Sequence, residues 1–288
     1  MKTGKEKQLF PLVNYSFFII ISVIMIYPFW YVLMFSISDP NVPVFNSYYL
    51  LPAGKPSLAT YEALLRQPML LKSLGNTVFI TLVGTFVKLL FTSLTAYPLS
   101  RSNLPGRSVI FSLIVFTMIF EGGIIPTYLV VKTFGLINSL WSLILPGAVV
   151  VYYLMIMAKF FRGIPESLVE SAKIDGYNDI HIFFRLIIPL SKAVYGAIGL
   201  FCAVQLWNTY FNGVLFINDI DKRVLQVTVR SLLMEEAMTG DAGMGKVVTT
   251  QQNMKMATII FTMLPILAVY PFLQKYFVKG ILIGSVKG

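Results

Sequence analysis

Six apolar runs, at about residues 12–36, 76–98, 109–131, 140–160, 193–218 and 256–278, each come close to the ~20 residues an α-helix needs to cross a bilayer. A backbone in hydrocarbon must satisfy its own N–H and C=O groups, so runs of this length are expected to span as helices. The expectation is an all-α polytopic membrane protein with six transmembrane helices in a single transmembrane domain over 1–288. Composition agrees, because 12% charged residues falls well below the ~25% usual in soluble domains. The net charge of +10 is spread over many short loops rather than gathered into one patch. That distribution excludes nucleic acid as the partner and fits anionic lipid and membrane orientation. Cys202 is the one cysteine, so no intrachain disulfide forms, and a lone His181 offers no metal site. The first run is too long for a signal-peptide core and is read as a retained span.

Orientation follows from the loops. With the N-terminus in the cytoplasm, the inner segments hold 13 Lys and Arg in 67 residues and the outer segments 9 in 86. The inner density is the higher one, as the positive-inside rule requires. Both termini and the segment 162–189 are then cytoplasmic, and the loops 37–74 and 219–255 are extracytoplasmic.

Segment 162–189 is the least membrane-like part of the chain. Pro165 suits a first helical turn, Glu166 favours the positive end of the helix dipole, and Gly176 is the residue a helix uses to stop in a left-handed conformation. Asn178 or Asp179 can cap a second helix, in which Ile180, Phe183, Phe184 and Ile187 recur at helical spacing until Pro189. Two short helices joined by a glycine make a rigid knob. The stretch Glu170-Ser171-Ala172, Gly176, Leu186-Ile187-Ile188-Pro189 resembles the "EAA" loop of ABC-type importer permeases, with Ser171 replacing one alanine. Further stretches are similar to carbohydrate importer permeases of the maltose-permease type. They are Ala96-Tyr97-Pro98-Leu99-Ser100-Arg101, Phe120-Glu121-Gly122-Gly123-Ile124-Ile125-Pro126-Thr127-Tyr128, Trp207-Asn208 and the end from Lys279 to Gly288. General likeness points within that family to permeases for oligosaccharides.

The resemblance implies a type I ABC importer permease fold with a cytoplasmic coupling helix, in a bacterial plasma or inner membrane. It implies partners too: a second homologous permease, two cytoplasmic ATPase subunits, an extracytoplasmic solute-binding protein and a carbohydrate. ATP and magnesium would sit on the ATPase, with no cofactor in this chain. The knob would enter a groove of the ATPase, with Glu166 and Glu170 meeting basic residues at the rim and small Ser171 and Ala172 allowing close approach. Asp175, Gly176 and Pro189 complete the coupling set. Closure of the ATPases would move the knob as a rigid body and rotate the attached spans.

Intramembrane charges are treated as functional by default. Lys88 and Glu121 lie near the midpoints of consecutive spans, so they either pair, or Lys88 snorkels and Glu121 lines a watery pathway. On the fifth span Gln205, Asn208 and Asn212 fall at i, i+3 and i+7, flanked by Trp207 and Tyr210. Amides beside aromatic plates suit a sugar, and they equally suit interhelical hydrogen bonding. Gly240 to Val247 approaches a P-loop, yet Val247 stands where Ser or Thr must hold magnesium, so a glycine turn is expected. With one histidine there is no hydrolytic constellation, and no enzyme activity is expected. The competing functions are a self-sufficient secondary transporter or channel, and an ABC permease for a non-sugar solute; the former would show internal repeats, and no convincing repeat is found.

Overall fold

The computed structural model describes residues 4–39, 51–52, 54–239 and 252–269, all of its regular structure being helical. The glycine turn at 240–247, the end of the sixth run beyond 269 and the tail 279–288 lie outside the described residues, as does most of 40–53. The described residues fall into two compact units. One comprises residues up to Pro68 together with Val229–Pro265, and the other Met69–Thr228 with the residues from Ile266.

In the first unit, α1 (Gly4–Ser36) is apolar all round over its span Pro11–Ser36. From Leu12 to Trp30 its large side chains stand exposed, as a helix solvated by lipid requires. Its end is tied down. Met34 and Phe35 are buried near Met256 of α12 (Gln252–Val269), and Asn253 Nδ2 donates to Ser38 O at 2.8 Å. Short α2 (Ala59–Leu65) folds back so that Tyr61 Oη lies 2.7 Å from Ser36 Oγ.

The second unit starts on α3 (Pro68–Ser100) and turns through α4 (Arg107–Ile119) and α5 (Ile124–Thr133). It continues through α6 (Val151–Arg162), α7 (Glu166–Ile174), α8 (Asp179–Leu190), α9 (Lys192–Trp207) and α10 (Phe211–Phe216). A 3₁₀ turn at Ile220–Lys222 leads into α11 (Leu225–Thr239), of which this unit holds the residues up to Thr228. Buried hydroxyls within α3 turn back onto their own helix, as when Thr77 Oγ1 and Ser73 Oγ donate to Ser73 O and Leu70 O. Thr77 Oγ1 also accepts from Leu225 N at 2.7 Å, and Asn76 Nδ2 donates to Asp221 O and Arg223 O. Together these bonds fix the start of α11 against the first turns of α3. Gly84 lets α9 approach α3 closely, since a Cβ there would lie 2.8 Å from Leu206 Cδ1.

By length and composition α1, α3 and α12 are long and apolar enough to cross a membrane, and two bent pairs, α4–α5 and α8–α9, pass together. Several expected runs are therefore broken. The run 109–131 bends by 113° at Phe120–Gly123, where Gly123 takes φ +82°. The run 140–160 is a 3₁₀ turn at Leu140–Leu143, then an irregular stretch through Pro146-Gly147, and helix only from Val151. The run 193–218 is interrupted between Trp207 and Phe211. Hydropathy registers how apolar a run is, and these breaks come from glycine, proline and capping residues inside it.

Candidate functional site: the knob and the broken spans

Pro165 stands at the N-cap of α7, one position ahead of the first turn, and Glu166 opens the helix. At the other end Gly176 has φ +83°, Tyr177 N donates to Ala172 O and Gly176 N to Lys173 O, both at 3.0 Å. This is a Schellman ending, and it leaves the two carbonyls satisfied without water. Asn178 then caps α8, its Oδ1 accepting from His181 N at 2.8 Å. Lys173 Nζ reaches Asp179 Oδ1 at 3.2 Å across the corner, an exposed pair of small energetic weight.

The inner face of the knob is anchored by Val169, Ile182, Phe183 and Ile187, all buried with Leu154, Phe161, Val194 and Ile198. Phe183 sits 5.3 Å, ring to ring, from Tyr97, and the Arg101 guanidinium lies 4.8 Å over the other partner of that contact, the Tyr97 ring. The stretch 96–101 is thus the socket of the knob, a role that its sequence alone did not assign. Near Pro189 the helix widens into a π turn over Phe183–Ile187, in which Ile188 N donates to Phe183 O. A wide turn accommodates a proline that lacks an N–H and crowds the preceding carbonyls. After Ser191 the chain turns by 82° into α9, so α8 lies across the end of that span.

The outer face is different. Ile174 is 86% exposed and Ile180 67%, flanking the Gly176 corner, while Glu166, Glu170, Ser171 and Asp175 are exposed beside them. Ala172 is turned partly inward against the chain's own core, so its small size serves that face. Between the knob and the end of α3 runs a cleft of ≈ 580 Å³, lined among others by Arg101, Glu166, Glu170, Lys173 and Asp179. Arg101 Nε and Nη2 are buried there with no hydrogen-bond acceptor among the described residues.

The intramembrane candidates are rearranged. Lys88 and Glu121 do not pair: Lys88 is 5% exposed and its Nζ donates to Gln205 Oε1 at 3.0 Å, whereas Glu121 stands exposed in the α4–α5 elbow and joins no ion pair among the described residues. The Lys88–Gln205 bond is new, and no spacing rule links positions so far apart. Gln205 and Asn208 share a face of α9, but Asn212 belongs to α10 beyond the break, so a single continuous face does not form. Asn208 ends α9, its Nδ2 donating to Val204 O at 2.9 Å. Trp207 is buried rather than presenting a ring, and Tyr210 is exposed.

This arrangement of a capped, partly charged knob on interrupted apolar helices defines a class. Residues 103–283 match the family described as "Binding-protein-dependent transport system inner membrane component", and the chain belongs to it. It is a membrane-spanning permease subunit of an ABC-type importer, a kind of subunit that works with a partner permease, an ATPase and a solute-binding protein. The chain is 42% identical to Protein LplC of Bacillus subtilis (strain 168), covering 100% of this chain and 98% of the relative. It is 43% identical to the polygalacturonan/rhamnogalacturonan transport system permease protein YtcP of the same organism, covering 98% and 100%. Its fold is similar to a chain in the crystal structure of a bacterial ABC transporter involved in the import of the acidic polysaccharide alginate. There the TM-score is 0.83 at 28% identity, covering 96% of this chain and 99% of the other.

Proposed function

We propose that this chain pairs with a second, homologous permease to form the translocation pathway for an oligosaccharide, delivered by an extracytoplasmic binding protein and driven by two ATPase subunits. The observation that carries the reading is the knob: a Schellman-terminated corner, anchored on one face and leaving Ile174 and Ile180 bare on the other. An apolar tip on a rigid stem is what a coupling element needs, because force passes through it without loss to local bending. The oligosaccharide follows from the relatives that carry glycans. In this reading the knob and both termini are cytoplasmic, ATP and magnesium sit on the partner ATPase, and this chain holds no cofactor and catalyses no reaction. Glu166, Glu170, Ser171, Ala172, Asp175, Gly176 and Pro189 form the coupling element. Glu121, Gln205, Asn208, Tyr210 and Asn212 border the pathway, with Trp207 supporting them from within.

The test is ATP-driven uptake of labelled oligosaccharides by the complete complex in proteoliposomes. Uptake that needs internal ATP and the binding protein is expected. Uptake by the permeases without the ATPase would support a secondary transporter instead, and ATP-driven uptake confined to non-sugar solutes would overturn the carbohydrate.

A further inference from the structure

Lys88 lies in the middle of the apolar run 76–98, yet it is buried and faces no carboxylate among the described residues. An ammonium carries three N–H donors, and the hydrogen bond recorded for this one goes to the neutral Gln205 Oε1 at 3.0 Å. A charge so placed is expensive. Were packing its task, methionine would fill a similar volume with no charge to desolvate. The lysine head instead rests over backbone, its Nζ 3.4 Å from where a Cβ of Gly147 would stand. Gly147 belongs to the irregular stretch between the 3₁₀ turn and α6, and irregular backbone at membrane depth is tolerated where it is buried in protein or borders a watery cavity. Gln205 is exposed. Its oxygen is occupied by Lys88, so its amide N–H groups are the part left to face whatever occupies the space beyond α9. A buried cation, a donor amide and a broken span meet at one point.

We propose that Lys88, seated on Gln205 and over Gly147, is the carboxylate-recognising group of the translocation pathway, which makes the cargo an acidic sugar. The inference rests on the carbohydrate reading above and specifies it. A uronate carboxylate reaching Gln205 meets its amide first, and rotation of that side chain hands the carboxylate to Nζ, exchanging a neutral acceptor for a charged one. Binding is then strongest for the charged cargo and easily reversed, because Gln205 returns to the lysine when the cargo leaves.

The experiment compares a uronic-acid trisaccharide with its carboxyl-reduced, neutral counterpart. The complete complex is assayed for ATP-driven uptake in proteoliposomes, and the receptor-free permease–ATPase complex in nanodiscs is assayed for equilibrium binding, which removes the filter set by the binding protein. Lys88→Met is expected to lower uptake and binding of the acidic sugar by about tenfold or more, the loss that follows deletion of a charge-assisted hydrogen bond. Any transport of the neutral sugar, and the thermal unfolding of the complex, should stay as in the wild type, and Lys88→Arg should restore preference for the acid. Wild-type handling of the acidic sugar by Lys88→Met would overturn the proposal. So would parallel loss of both sugars with a lowered unfolding temperature, which would assign Lys88 to interhelical packing. Failure of the wild type to carry either sugar would instead remove the carbohydrate reading on which the inference stands.

Discussion

At Gly176 the backbone sits at φ +83°, a conformation that costs an L-residue about 1–2 kcal/mol, and a β-branched one is the least able to adopt it. No atom lies near the position a Cβ would take, so the penalty is purely conformational. Gly176→Val should therefore leave insertion and assembly intact while loosening the angle between α7 and α8. Receptor-stimulated ATP hydrolysis by the purified complex is the readout, and it should drop toward the basal rate. Full stimulation in a normally assembled complex would count against the knob as coupling element. Asn208 makes a different case. Its amide is already used on Val204 O, so Asn208→Ala should remove a helix-end hydrogen bond worth ~0.5–1.5 kcal/mol and shift the unfolding temperature modestly. A larger loss of uptake than of folded protein would place the residue in the pathway as well.

Elements are held by close approach as much as by burial. Gly84 admits Leu206, and the Cβ of Gly84→Ala would press to 2.8 Å from Leu206 Cδ1 and 3.3 Å from Ile144 Cγ1. Leu206 and Ile144 are themselves buried, so they have little room to retreat. Overpacking of this kind costs about 1–3 kcal/mol, and the complex should unfold at a lower temperature. Adding Leu206→Ala opens space on one side, so the double variant should lose less than the two single losses added together; strict additivity would mean that the two side chains do not meet. Such pairings show where sequence reading runs out. The knob was legible because its signals are local: a proline beside the first turn of α7, an asparagine that caps α8, and between them a glycine where a Schellman ending demands one. The apolar runs were legible through their length. The contact of Tyr97 with Phe183, the bond from Lys88 to Gln205 and the seat of Gly84 join positions remote in sequence, and hydropathy carries no record of them. Breaks inside runs were written in Gly122-Gly123, Pro146-Gly147 and Asn208, but an average over ~20 residues hides them.

The subunit also carries surfaces that make sense only in company. The apolar stretch of α1 from Leu12 to Trp30 is the kind a bilayer covers, since its large side chains are exposed. The tip of the knob is not, because Ile174 and Ile180 stand among Glu166, Glu170, Asp175 and Asp179, which water or a protein must solvate. Burying one isoleucine in a partner groove contributes about 1.5–3 kcal/mol, enough to change an association constant tenfold or more. Within the subunit each isoleucine is largely solvent-exposed, so Ile174→Glu or Ile180→Glu should leave folding and insertion unchanged. The ATPase, however, should be lost during purification in detergent, and the double variant should lose it more completely than either single one. Val169→Glu is the contrasting substitution, because it strikes the buried face of the same helix and should reduce the amount of folded permease before any ATPase is added. Retention of the ATPase at wild-type stoichiometry by the Ile174→Glu, Ile180→Glu double variant would mean that the bare tip is not the docking face, and the cleft beside Arg101 would then be the surface to test.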